Sequence, residues 1–146
     1  MIRVVLDTNI IVSAYLNPDG LPFFILKLAL AGSFRLCVSE PILAEYEELL
    51  SRKSFSMDRR RARLFLRQIR AVGDVYSSAG GLDVTKDPDD NMFLECALAA
   101  KAHYLVTGNN AHFPKKRWKY TSVISPRTFI NIWKDLRPDD EPAQHL

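Results

Sequence analysis

Met1-Ile2-Arg3-Val4-Val5-Leu6-Asp7-Thr8-Asn9-Ile10 is the stretch that decides the fold. Apart from Arg3, every residue from Ile2 to Leu6 is apolar, and Ile2, Val4 and Val5 are β-branched. A short run of this kind suits a strand covered on both faces of a parallel sheet. An aspartate follows at once, then a threonine and an asparagine. Open α/β sheets bind their ligands beyond the carboxyl ends of the strands, so Asp7 stands where a site would be built. The plain alternative is that Asp7, Thr8 or Asn9 caps the next helix. This stretch alone does not separate the two.

The pattern after it alternates helices and strands. Ile10 to Leu16 reads as a short helix stopped by Asn17-Pro18-Asp19-Gly20, with Ser13 one turn after Asn9 on the same side. Pro22 to Gly32 reads as a second helix, with proline near its start and glycine just past its end. Phe34 to Val38 is the second strand. Ser39 caps a third helix with Pro41 in its first turn, and Ile42, Leu43, Tyr46, Leu49 and Leu50 form its inward stripe. At 100° per residue Glu45 falls about 60° from Ile42 and so borders that stripe, whereas Glu47 and Glu48 point to solvent. A carboxylate at the edge of a core is costly unless it is paired or bound to a metal, so both a salt bridge and a metal stand open for Glu45.

Arg59 to Val72 is a fourth helix bearing Arg59, Arg60, Arg61, Arg63, Arg67 and Arg70 and no acid. Arginine suits phosphate and basic faces follow nucleic-acid backbones, although a cationic helix is also an ordinary solvated face. Val75-Tyr76 reads as an edge strand, broken at Gly80-Gly81. The densest acidic cluster follows, Asp83 to Asn91, and runs into an apolar helix from Met92 to Lys101. Asp87 as N-cap and Pro88 as first helical residue explain one or two of the carboxylates. Asp87, Asp89 and Asp90 together repel one another, and a divalent cation would relieve that repulsion. Tyr104 to Thr107 is the next strand, ending in Gly108-Asn109-Asn110. Lys115-Lys116-Arg117-Trp118-Lys119-Tyr120 interleaves basic and aromatic residues as a nucleic-acid contact would. Val123-Ile124 is a last short strand, and Arg127 to Leu136 a final helix with Phe129, Ile130 and Trp133 inward. Strands alternating with helices predict an α/β fold with a mostly parallel sheet.

Composition sets the outer limits. At 146 residues and 47% hydrophobic, one domain over 1–136 is expected, with 137–146, rich in proline and acids, as a disordered tail. Net charge is +3, and the acids of the last ten residues leave the body at +5. Cys37 and Cys96 lie in apolar contexts and read as buried thiols of a reducing compartment. No run is long enough to cross a membrane, and the apolar start is too short for a signal peptide, so the cytoplasm is expected. There is no Gly-rich phosphate loop, no zinc spacing and no nucleophile elbow, and His103, His112 and His145 are scattered.

Four segments in order carry a family likeness: Val5-Leu6-Asp7-Thr8-Asn9, Ile42-Leu43-Ala44-Glu45-Tyr46, Asp87-Pro88-Asp89-Asp90-Asn91 with Ala97 downstream, and Leu105-Val106-Thr107-Gly108-Asn109. Together they resemble the PIN-domain ribonucleases, over nearly the whole chain. They are most similar to the small prokaryotic, VapC-like toxins of toxin–antitoxin pairs, in which a segment such as His112-Phe113-Pro114 also follows the last motif. The resemblance implies a three-layer α/β/α fold and an endoribonuclease dependent on Mg²⁺ or Mn²⁺. Asp7, Glu45 and Asp90 would be its catalytic, metal-binding acids, with Asp87, Asp89 and Asn109 as further candidates. Asp90 is preferred to Asp89 by the family's spacing to Ala97, since helix geometry does not separate them. Thr8, Asn9, Ser13 and Thr107 would surround the metal. Arg59, Arg60, Arg63, Arg67, Lys115, Lys116 and Arg117 would hold RNA. A cognate antitoxin and a homodimer are implied as partners.

The chain departs from the pattern at Asn109, where many PIN domains carry a fourth acid, and this weakens the expectation of a second metal. It also leaves open a degenerate PIN protein that binds RNA or a partner without cutting. A receiver domain would need paired acids at the first strand, and a haloacid-dehalogenase phosphatase would need an aspartate at Asn9.

Overall fold

A computed structural model describes residues 1–52, 59–77, 88–109, 113 and 116–136, without the side chains of 88 and 89. The elements are β1 (Arg3–Leu6), α1 (Thr8–Leu16), α2 (Leu21–Leu30), β2 (Arg35–Val38), α3 (Glu40–Leu50) and α4 (Arg59–Val72). After them come β3 (Asp74–Val75), α5 (Pro88–Ala100), β4 (Tyr104–Val106), β5 (Arg117–Trp118), β6 (Thr121–Ile124) and α6 (Pro126–Asp135).

The strands form one sheet in the order β3-β2-β1-β4-β6-β5. Every pairing is parallel except that of β5 with β6. The expected α/β class and mostly parallel sheet are therefore observed. Val4, Val5 and Leu6 of β1 and Leu105 and Val106 of β4 are fully buried, as two-faced cover requires. Crossovers between parallel strands are right-handed. The β1–β2 and β2–β3 connections run one way along the sheet and α5 returns the other way, so α1 to α4 and α5 belong to opposite faces. α5 packs on β1, β2 and β4, while α1 packs on α2 and α3. Cys37 and Cys96 are both free and buried, and desolvation pushes each thiol up to about 12.

Helix ends follow their chemistry. The Ser39 hydroxyl accepts from Ile42 N at 3.3 Å and caps α3 as expected. α2 closes with Gly32 at φ 75°, where Ser33 N donates to Leu28 O and Gly32 N to Ala29 O, the double bond of a left-handed C-terminus. α5 closes in the same way, but with Lys101 at φ 50°. Gly73, between α4 and β3, has no room for a side chain, since a Cβ there would come within 2.9 Å of Val38.

Several element bounds differ from expectation. α1 begins at Thr8, not Ile10, so β1 passes into it with only Asp7 between. The edge strand is Asp74–Val75, one residue earlier than expected, and α6 runs from Pro126 to Asp135. Within the basic-aromatic segment Arg117 and Trp118 form β5, paired to Ser122 and Thr121 and reversed through Lys119 at φ 55°. Alternating charged and aromatic residues suit a half-buried edge hairpin as well as they suit nucleic acid. The expected tail, His112, Pro114 and the Gly80-Gly81 break lie outside the described residues.

Candidate active site

The chain leaves β1 for β2 on one side of the sheet and later places β4 on β1's other side. The boundary between β1 and β4 is thus the point where strand order reverses, the usual seat of a ligand in such sheets. Asp7 and Thr107 end these two strands. Thr107 Oγ1 donates to Asp7 Oδ2 at 2.7 Å across the boundary, and Asp7 N donates to Val106 O at 3.0 Å. Asn9 Nδ2 adds longer contacts of 3.4 Å to both Asp7 Oδ2 and Thr107 Oγ1. Asn9 Oδ1 accepts from Gly108 N at 3.1 Å, and Thr107 Oγ1 from Asn109 N at 3.0 Å. One side-chain network therefore holds the Asp7 carboxylate and the Gly108-Asn109 turn together.

This network bears on the capping role of Asp7. The residue occupies the N-cap position of α1, with extended backbone, yet makes no capping hydrogen bond from its side chain. The cap is available and the carboxylate turns instead to the strand boundary, where it is only 6% exposed. Thr8, beside it, is 3% exposed, and its Oγ1 is buried with no hydrogen-bond partner among the described residues. An orphaned buried hydroxyl costs free energy, so a polar ligand at this place would relieve it. Ser13, on the contrary, is exposed.

Glu45 is half-buried, its Oε2 fully so, at the edge of the α3 stripe where the helical wheel put it. Its neighbour Tyr46 has no exposed surface and donates a short hydrogen bond through its hydroxyl to Leu6 O, the carbonyl just before Asp7. Burial, then the Asp7 carboxylate, then Cys96 and Glu45 hold the Tyr46 phenol well above its ordinary range. It remains a neutral donor that binds the helix carrying Glu45 to the strand carrying Asp7. In the sequence Tyr46 reads as part of the inward stripe of α3 alone. Its position next to Glu45 was the one available signal.

Asp90 lies in the first turn of α5 and is 7% exposed. α5 leads into β4, parallel to β1, so its first turn belongs to the same edge of the sheet as Asp7. Buried carboxylates and hydroxyls give an all-oxygen donor set, which suits a hard dication such as Mg²⁺ or Mn²⁺. Among the described residues, however, no three of His, Cys, Asp or Glu come close enough together to enclose one ion. Asp89 has a placed backbone on α5 only, and Asp87 and Lys115 lie outside the described residues. Asn109 is exposed at the rim.

The arginines of α4 divide into two groups. Arg61 lies over the Tyr15 ring at 4.5 Å and donates to Tyr15 O at 3.3 Å, fastening α4 to α1. Arg70 forms a paired bridge to both oxygens of Glu40 at 3.1 and 3.2 Å. Arg59, Arg60, Arg63 and Arg67 point to solvent, as does Lys116. Arg61 and Arg70 are thus structural, which the bare sequence did not reveal.

Comparison with known proteins agrees with this fold. A family model described as PIN domain matches residues 3–111. The uncharacterized protein MJ1680 of Methanocaldococcus jannaschii is 32% identical over 111 residues, covering 74% of this chain and 71% of its own. Among solved structures, that of VapBC2 from Rickettsia felis bound to a DNA fragment from its promoter superposes with a TM-score of 0.58. Identity there is 18%, over 85% of this chain and 98% of the other, so that likeness speaks for the fold.

Proposed function

The chain belongs to the PIN domain family, and we propose from that premise that it is a metal-dependent endoribonuclease hydrolysing RNA phosphodiester bonds. The observation that carries the reading is the Asp7 carboxylate, buried at the strand-order reversal and held by Thr107 although the helix cap was open to it. Asp7, Glu45 and Asp90 would hold Mg²⁺ or Mn²⁺, with the Thr8 hydroxyl beside them. Such an ion lowers the pKa of bound water and neutralises charge building on the phosphate. Thr107 and Asn9 fix the rotamer of Asp7, Tyr46 sets the α3 backbone at Glu45, and the exposed arginines of α4, with Lys116, draw in the substrate backbone. By likeness to the VapBC2 assembly we extend the reading to a cytoplasmic toxin that pairs with an antitoxin protein and forms a homodimer.

A second reading, a PIN protein that binds RNA without cutting it, is favoured by Asn109 in place of an acid and by the lack, among the described residues, of three metal-ligating side chains grouped around one ion. One experiment decides. Wild type and Asp7→Asn are stripped with EDTA, then given Mn²⁺ and a labelled single-stranded RNA pool, and both melting and cleavage are followed. The nuclease reading expects Mn²⁺ to stabilise wild type by about 2.7 kcal/mol at a hundredfold excess over Kd. Cleavage should fall on the order of a thousandfold in Asp7→Asn, since several kcal/mol of transition-state stabilisation are lost. RNA binding with neither a Mn²⁺ shift nor cleavage in wild type would leave the binder standing.

A further inference from the structure

The face where α3 meets α4 holds a pocket of about 230 Å³ lined by Leu43 and Glu47 of α3 and Arg63, Leu66, Arg67 and Arg70 of α4. Its floor is apolar, as Leu43 is buried and Leu66 half-buried. Its rim is cationic. Arg70 is already neutralised by Glu40. Arg63 and Arg67, one turn apart and exposed, enter no hydrogen bond or ion pair among the described residues. Residues four apart share one helix face, so the two guanidinium groups present a joint anion-binding edge. The volume exceeds that of a single water and falls short of the roughly 300–1,000 Å³ typical of a drug-sized ligand site, so one small group fits.

Glu47 decides what kind of group. A carboxylate beside the arginines disfavours a bare anion, but it accepts hydrogen bonds from an amine. The occupant should therefore carry a phosphate, an apolar face and an amino edge. We propose that this pocket is an accessory subsite for one nucleotide of single-stranded RNA. Arg63 and Arg67 hold its phosphate, Leu43 and Leu66 lie under its base, and Glu47 accepts from the exocyclic amino group. The subsite rests on the RNA reading above and adds to it a preference for amino-bearing bases, of which cytosine against uracil is the cleanest contrast.

The test is equilibrium binding of fluorescein-labelled oligocytidylate and oligouridylate to the full chain in EDTA, with folding checked by melting. Wild type should bind oligocytidylate more tightly. Arg63→Gln/Arg67→Gln should lose about 10- to 100-fold in affinity, as two charge-assisted contacts go. The slope of log K against log salt should become shallower by about 0.7, the share of the one phosphate released. Glu47→Gln should erase the cytosine preference. Wild-type affinity in the double variant, an equal loss in Arg127→Gln/Lys134→Gln, which removes two exposed charges of α6, or equal binding of the two oligonucleotides by wild type would each overturn the subsite. So would competition by inorganic polyphosphate or an acidic peptide as strong as that of RNA. Because binding is read without metal, a failure to cleave with Mn²⁺ would sink the nuclease reading and leave this result standing. Normal cleavage with unaltered oligonucleotide binding would do the reverse.

Discussion

The two ends of the β1–β4 pair use polar residues in opposite ways. At the amino ends, Arg3 Nε donates to Ala100 O at 3.1 Å and its Nη2 to Lys101 O at 3.1 Å. His103 Nδ1 accepts from Arg3 N at 3.0 Å, and Thr121 Oγ1 donates to Ala102 O at 2.7 Å. In each of these bonds a side chain meets backbone, and the carbonyls taken up by Arg3 are the loose ends of α5. At the carboxyl ends, Asp7, Asn9 and Thr107 bond to one another, and Thr8 Oγ1 is left over. Polar groups that complete the backbone make a clasp. Polar groups that mostly hold each other, with one unsatisfied, keep capacity for a ligand.

Substitutions test that contrast. The largest effect is expected for Asp7→Asn, which should abolish the Mn²⁺ shift and most cleavage yet cost little stability in EDTA. Arg3→Met at the opposite end should cost about 1–3 kcal/mol by denaturant unfolding, from the stranded carbonyls, and leave the Mn²⁺ shift intact. If Arg3→Met reduced the shift as much as Asp7→Asn, the two ends would not be separable. Thr8→Val sharpens the point with the opposite sign. Replacing the orphaned hydroxyl by a methyl should raise stability in EDTA by about 1 kcal/mol and diminish the gain from Mn²⁺. Lys101→Gly should raise the melting temperature, by the equivalent of about 0.5–1 kcal/mol, because glycine takes a left-handed C-terminus without strain.

The smallest effect concerns pH. The Arg70 hydrogen bond lowers the folded pKa of Glu40 below its unfolded value. The stabilisation is therefore fully present above the ordinary glutamate range and is lost as pH falls through the lowered value. Being fully exposed, the pair should give Glu40→Gln a stability profile only slightly flatter than wild type in acid, and the same as wild type after high salt.

Legibility in the sequence followed the physical source of each feature. β1, α2 and α3 were readable because their signals are local: a β-branched run, a proline and glycine at the ends, a serine cap before Ile42. The left-handed end of α5 was not, because Lys101 announces nothing that Gly32 announces. β5 was missed because two residues of strand carry no periodicity, and the pairing depends on β6. At the site, the strand-end position of Asp7 and the wheel position of Glu45 follow from strand and helix geometry, whereas Asp90 is singled out from Asp89 by the family likeness alone. The Tyr46 hydroxyl bond, the Asp7–Thr107 contact and the diversion of Arg61 and Arg70 to Tyr15 and Glu40 join residues far apart in sequence, where no pattern of neighbours could betray them.

Asp7 and Thr107 stand 100 positions apart, and β1 finds its inner partner only when Tyr104 to Val106 exist. During synthesis at roughly 5–20 residues per second, Asp7 would emerge several seconds before the strand that orients it. Pairing over such a separation is also slow to form once the chain is complete. An amino-terminal fragment ending before Thr107 would keep Asp7, Glu45 and Asp90 and yet lack the contact that fixes the first of them. The arrangement postpones the fixing of the Asp7 carboxylate until most of the polypeptide has been made.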